Sequence, residues 1–302
     1  MAAKLSGFKT PEDAARYYEI YDEFVEDHWP ADREELDIQT DFGPTHVRKS
    51  GSGDGGPPLI LIHPTTGSSL GWHSIIEPLS RRHTVYTPDT IGTVGRSVQT
   101  APIESPKDLV RWLDQVIDRL GVDRLHMVGY SEGGWIAGLH AALTDQPRRI
   151  ASLTLIEPAG AIEQIPRRTL ANMIFRGART LAARDKSQAI RDFNQWLSGD
   201  LDLSDDEIKL VLIAFRTFRQ HLPKPKRLSD DQLRRIRTPT LLLLAAETRI
   251  YDPKKVAERA SATLPNVRIE TTPNAGHGLP FQYPEETTAQ VLSFIESEFE
   301  AH

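Results

Sequence analysis

Hydrophobic and polar positions along this chain follow two rhythms. From Ala14 to Val25, the residues Tyr17, Tyr18, Tyr21, Phe24 and Val25 recur at helical spacing and predict an amphipathic N-terminal helix. Strand-like runs follow at Leu36–Thr40 and His46–Lys49, with a turn at Phe42-Gly43-Pro44 between them. The glycine-rich stretch Gly51–Pro57 predicts a flexible turn. Leu59–Ile62 is then apolar at every position, the pattern of a strand covered on both faces. Strands at Thr84–Thr87, Arg124–Val128 and Ala151–Ile156 alternate with helices at Lys107–Leu120 and Trp135–Leu143. This alternation predicts an α/β fold with a mostly parallel central sheet covered by helices.

The rhythm changes after Gly160. Ala161 to about Ile236 is helical throughout, with apolar positions that include Leu170, Ile174, Leu181, Ile190, Trp196 and Phe215. Strand patterns return at Thr240–Leu244 and Val267–Glu270, with a helix from Pro253 between them and a last helix over Glu285–Phe299. A helical block between the sixth and seventh strands predicts a cap. The expected organisation is a core of residues 1–160 and 237–302, with 1–33 as a helical extension, and a cap of 161–236. Trp72, Trp135, Phe175, Trp196 and Phe218 are expected to be packing residues, with one or two cap aromatics touching ligand.

Composition narrows the function classes. The 302-residue chain carries a formal net charge of -6, which speaks against a nucleic-acid partner. It has no cysteine, so disulfides, thiolate metal sites and a cysteine nucleophile are excluded and a cytoplasmic location is expected. The first seven residues lack a signal-peptide core, and no apolar run approaches spanning length, so no membrane partner is expected. Residues 161–234 hold 14 Lys+Arg against 10 Asp+Glu, so the block is basic in an acidic chain. A solvated basic helix face accounts for this, with an anionic substrate as the sharper alternative.

One segment carries chemistry. Leu125–Tyr130 ends in Gly129-Tyr130-Ser131-Glu132-Gly133 and a helical pattern follows at once. Strand, Gly-x-Ser-x-Gly and helix, in that order, form a nucleophile elbow with Ser131 at its apex. A serine hydroxyl needs a base to attack at neutral pH. His277, in Asn274-Ala275-Gly276-His277-Gly278, follows the last strand and precedes the last helix, where the base of this arrangement stands. Asp89 and His63 are expected to brace loops. Gly92–Gly95 lacks the lysine and spacing of a phosphate loop, and no His/Asp/Glu grouping has metal-ligand spacing, so no cofactor is expected.

Over about residues 36–300 the chain resembles the α/β-hydrolase superfamily, most of all its bacterial cap-bearing esterase and lipase branch. The likeness rests on His63-Pro64-Thr65-Thr66-Gly67, Asp89 to Ser97, the Ser131 elbow and the Gly276-His277 loop. It implies an oxyanion hole from the backbone N–H groups of Glu132 and Thr65. The usual His-Gly is His63-Pro64 here, and Pro64 has no N–H to donate. The usual acid slot falls on Thr248, which supplies no anion. Three carboxylates are left for that role: Glu157 at the end of the sixth strand, which is favoured, then Glu247 and Asp252. The resemblance implies a serine hydrolase that cleaves an ester-like bond of a small organic substrate through an acyl-enzyme. Two other readings stay open. One is a biosynthetic tailoring enzyme (cyclase, thioesterase or C–C bond hydrolase) on the same residues; the other is a non-catalytic small-ligand receptor on a hydrolase scaffold.

Overall fold

All eight segments predicted as strands pair into one sheet. The computed structural model describes residues 4–54, 56–64 and 67–300. The strands are β1 (Arg33–Thr40), β2 (Gly43–Asp54), β3 (Leu59–Ile62), β4 (His83–Pro88), β5 (Leu125–Tyr130), β6 (Ile150–Ile156), β7 (Thr240–Ala245) and β8 (Val267–Thr272). Their order across the sheet is β8-β7-β6-β5-β3-β4-β2-β1. β1 and β2 pair antiparallel, as do β2 and β4, and every pair from β4 to β8 is parallel. The stretch Gly51–Asp54, expected as a turn, instead continues β2 as far as the Asp54–His83 pair. Glycine there permits the left-handed φ of 71° at Gly51 and a shift of register, as in a bulge. Gly55, in the same predicted turn, lies outside the described residues.

Strand side chains alternate between faces, and the core divides accordingly. Ile60, Ile62, Met127, Leu153, Leu155, Leu242 and Leu244 point into one layer. That layer is closed by α3 (Pro106–Arg119) and α4 (Glu132–Leu143). Leu59, Leu61, Val128, Tyr130, Ile156, Leu241 and Leu243 face the other layer. There they meet α1 (Pro11–His28), α2 (His73–Ser80) and Val291, Phe294 and Ile295 of the last helix (Pro284–Glu300). Between β6 and β7 run α5 (Arg167–Ala182), α6 (Lys186–Ser198), α7 (Asp205–Thr217) and α8 (Asp230–Arg235). The expectation of helix throughout this block fails over residues 218–229. Pro223 and Pro225 deny the segment amide donors, and Phe218–Arg219 pairs antiparallel with Gly7–Phe8 instead.

Two constraints fix the sheet's carboxyl edge. The first is Asp89, fully buried just beyond β4. It accepts hydrogen bonds from Ser69 N (2.8 Å), Arg96 N (2.7 Å) and the Tyr21 hydroxyl (3.0 Å). Tyr21 comes from α1 and also accepts from the buried Arg48 guanidinium at 3.2 Å. Burial alone would raise the Asp89 pKa, but His46, His63 and the donated amides outweigh it and hold the carboxyl below its usual value. The second constraint is a backbone crossing. A Cβ on Gly133 would fall far inside contact distance of the Ile62 carbonyl oxygen, so α4 sits this close to β3 only because residue 133 is glycine.

Two predictions follow from these constraints. Because the folded-state pKa of Asp89 is depressed, its contribution to stability is complete above an unfolded value of about 4 and fades as pH falls through the folded value. Asp89→Asn should therefore cost about 2–4 kcal/mol at neutral pH and flatten the acid limb of a denaturation series; an unchanged acid limb would refute this. Gly133→Ala should destabilise by about 3 kcal/mol or more in denaturant titrations. Gly138→Ala, whose Cβ would meet Leu228 at an ordinary 3.6 Å in the same helix, should be neutral or stabilising.

Candidate active site

Strand register brings the site together. Tyr130, the last residue of β5, pairs with Ile156, the last of β6, and Ile156 pairs with Leu243 of β7. The next residues, Ser131 and Glu157, therefore leave adjacent strands side by side. Ser131 N donates to Ile156 O at 2.9 Å and Glu157 N to Leu243 O at 2.9 Å. Both residues depart from ordinary backbone geometry, Ser131 with φ 55° and ψ -119° and Glu157 with φ 45°. Such conformations cost about 1–3 kcal/mol each and persist only where surrounding structure enforces them. Here the enforcement is the register on one side and the Gly133–Ile62 crossing on the other.

His277 enters from the loop after β8. Its Nε2 lies 2.9 Å from Ser131 Oγ and its Nδ1 3.0 Å from Glu157 Oε2. The second Glu157 oxygen, Oε1, accepts from Ala245 N at the end of β7 at 2.8 Å. Glu157 is fully buried and His277 nearly so, while Ser131 is partly accessible. The glycines beside His277 have a specific cause. The end of α6 passes over this loop, and a Cβ on Gly276 would lie 2.5 Å from the Ser198 carbonyl, one on Gly278 2.8 Å from Ser198 Cβ. His277 N donates to Leu197 O (3.3 Å) and the Tyr130 hydroxyl donates to His277 O (2.8 Å). Tyr251, also buried, lies near the same carboxylate. Burial and then the charge of Glu157 raise its phenol well above the usual value.

The other candidate carboxylates stand elsewhere. Glu247 is exposed. Asp252 is also exposed and caps the next helix, Pro253–Thr263, by accepting from Lys254 N at 3.0 Å. Thr248, in the usual acid slot, is buried with no hydrogen-bond partner for its hydroxyl among the described residues. Glu132 is the first residue of α4, so its amide opens at the positive end of that helix. Thr65 lies outside the described residues. His63 donates from Nδ1 to Pro64 O (2.7 Å) and accepts at Nε2 from Thr90 N (2.9 Å). Burial lowers its pKa, and the neutral ring ties the segment after β3 to the segment after β4, as a brace should. Among the described residues no group of three or more His, Asp or Glu side chains is placed to hold a metal ion.

Aromatic expectations divide. Trp72 and Trp135 are buried, and Trp196 and Phe218 are partly so. Phe175 is not a packing residue: it is 61% exposed, on the outer face of α5. Sequence reasoning overlooked Tyr130 and Tyr251. Tyr130 stands inside the elbow motif itself, where only its neighbour had drawn notice.

Comparison with known proteins is consistent along the chain. A sequence profile described as the alpha/beta hydrolase fold matches residues 57–284. The uncharacterized carboxylesterase nap of Bacillus subtilis (strain 168) is 31% identical over 297 residues, 95% of this chain and 94% of that protein. The carboxylesterase YbfK of the same organism is 29% identical, over 95% of this chain and 96% of its own length. The crystal structure of naproxen esterase (carboxylesterase NP) from Bacillus subtilis superposes with a TM-score of 0.85 at 29% identity. That superposition covers 95% of this chain and 99% of the other. The chain belongs to the α/β-hydrolase fold family.

Proposed function

We propose that this protein is a serine carboxylesterase whose triad is Ser131, His277 and Glu157. The observation that carries this reading is the unbroken relay from Ser131 Oγ through both nitrogens of His277 to Glu157, with both contacts near 3 Å. His277 Nδ1–H donates to Glu157, which leaves Nε2 free to accept the Ser131 proton as Oγ attacks an ester carbonyl. The imidazolium then protonates the leaving alcohol. Water deprotonated by the same nitrogen releases the acid and restores the serine. The Glu132 amide at the start of α4 serves as one oxyanion donor, and Thr65 is assigned the second by its place after His63-Pro64. Residues 161–236 act as a cap that sets which ester enters. Similarity to two carboxylesterases over nearly the whole chain supports the reaction class.

A fluorophosphonate probe should label Ser131 in the folded protein and fail on Ser131→Ala. A folded protein that resists labelling would be a receptor on this scaffold and not an enzyme. Glu157→Gln should lower kcat for a short-chain p-nitrophenyl ester by about 10³–10⁴, as for other triad acids, with Glu247→Gln nearly unchanged. Equal, small losses in both variants would defeat the assignment of Glu157.

A further inference from the structure

The helix α5 has its amphipathicity turned outward. Its inner side, against α6, is built from small and polar groups. Thr180 is its only buried residue and hydrogen-bonds the Arg176 and Ala189 carbonyls (3.0 and 3.3 Å). Arg176 lies over the Trp196 ring at 4.8 Å, and Met173 alone reaches the core. The outer side is apolar. Ile174 is 65% exposed, Phe175 61%, Leu181 52% and Leu170 45%, and Ala171, Ala178 and Ala182 are exposed among them. At 3.6 residues per turn these seven positions form one arc of roughly 140°, which also holds the exposed Arg167 of the first turn. Globular helices ordinarily turn such an arc inward.

Charge specifies what covers this face. From Gln164 to Arg184 the chain has no Asp or Glu, and it carries Arg167, Arg168, Arg176, Arg179 and Arg184. Arg168 and Arg179 flank the arc on the Phe175 side, and both are exposed. Past the C-terminal end of α5, Arg184, Lys186 and Arg216 line a hollow of about 520 Å³, with Asp185 as its one acid. A second copy docked through a twofold axis would set arginine against arginine, with no acid on either helix to pair. An anionic surface meets both the charge and the apolar arc.

We propose that α5 docks this protein in the plane of an anionic lipid surface, with Leu170, Ile174, Phe175 and Leu181 sunk to the acyl boundary and Arg168 and Arg179 at the phosphates. The absence of a spanning run, which argued against a membrane partner, does not bear on a helix lying flat. The chain as a whole has a net charge of -6, so attraction arises from this patch and fixes the orientation of the molecule. The cap would then deliver esters taken from the lipid phase; this last step rests on the esterase reading, while the docking itself does not.

Co-sedimentation of the full chain with vesicles tests the docking. Vesicles containing phosphatidylglycerol should carry the protein down at low salt, and pure phosphatidylcholine vesicles should carry far less. Ile174→Asp should reduce partitioning by about tenfold or more, and so should Arg168→Glu combined with Arg179→Glu. These variants should keep the wild-type far-UV circular dichroism spectrum and melting temperature, which reports that they fold. No binding to the anionic vesicles, or binding indifferent to both sets of changes, overturns the proposal. So does a solution dimer that Ile174→Asp dissociates, because a second copy would then own the face. Loss of ester hydrolysis in the wild-type protein with vesicle binding intact would count against the triad and leave the docking standing.

Discussion

A carboxylate sealed from water has to be surrounded by donors, and the site of this protein is arranged around one. Glu157 has no accessible surface, and removing such a group from water costs several kcal/mol unless its lone pairs are met. One oxygen takes the Ala245 amide and the other the His277 ring. Those two partners belong to the end of β7 and to the loop after β8, so the demand of one side chain draws three neighbouring strand ends into register. The left-handed backbone at Glu157 follows from the same demand, since the chain must turn sharply for the side chain to face inward. Ser131 gains its geometry from the same edge, through the Ile156 carbonyl that its amide meets.

The second organising element is the N-terminal helix, which is less of an appendage than its position in sequence suggests. Tyr17, Tyr21 and Phe24 are buried in the same layer as Leu59, Leu61 and Leu243. Through Tyr21 the helix reaches Asp89 and Arg48, so the loop after β4 is held by residues more than sixty positions upstream. His63 ties that loop in turn to the segment following β3. The carboxyl edge of the sheet is thus fixed from the N-terminal side by hydrogen bonds and from the C-terminal side by Glu157.

Much of this was legible in sequence, for reasons that differ by residue. Strands such as Leu59–Ile62 are apolar at every position, a pattern that burial on both faces requires. Ser131 and His277 stand in motifs whose glycines are dictated by close backbone approach, and such demands leave a local trace. Glu157 was readable as a carboxylate at a buried strand end, but its choice over Glu247 and Asp252 depends on which side chain points inward, which only the register decides. α2 escaped notice because Pro78 interrupts a helix of eight residues whose buried side is Ile75, Ile76 and Leu79. The outward face of α5 escaped for the opposite reason. Its periodicity was plain, and periodicity alone does not say whether an apolar stripe meets a core or the outside.

The contact between Ser198 and the glycines on either side of His277 has a consequence for how this protein changes over time. The helical block between β6 and β7 is joined to the core not only at its two ends but at the histidine loop, where a single added methyl at 276 or 278 has no room. A replacement block brought in from another protein would have to end its second helix at the same place and with a side chain as small. Ser198 of α6 and the histidine loop therefore have to change together, so the unit inherited as one crosses the boundary between the helical block and the sheet.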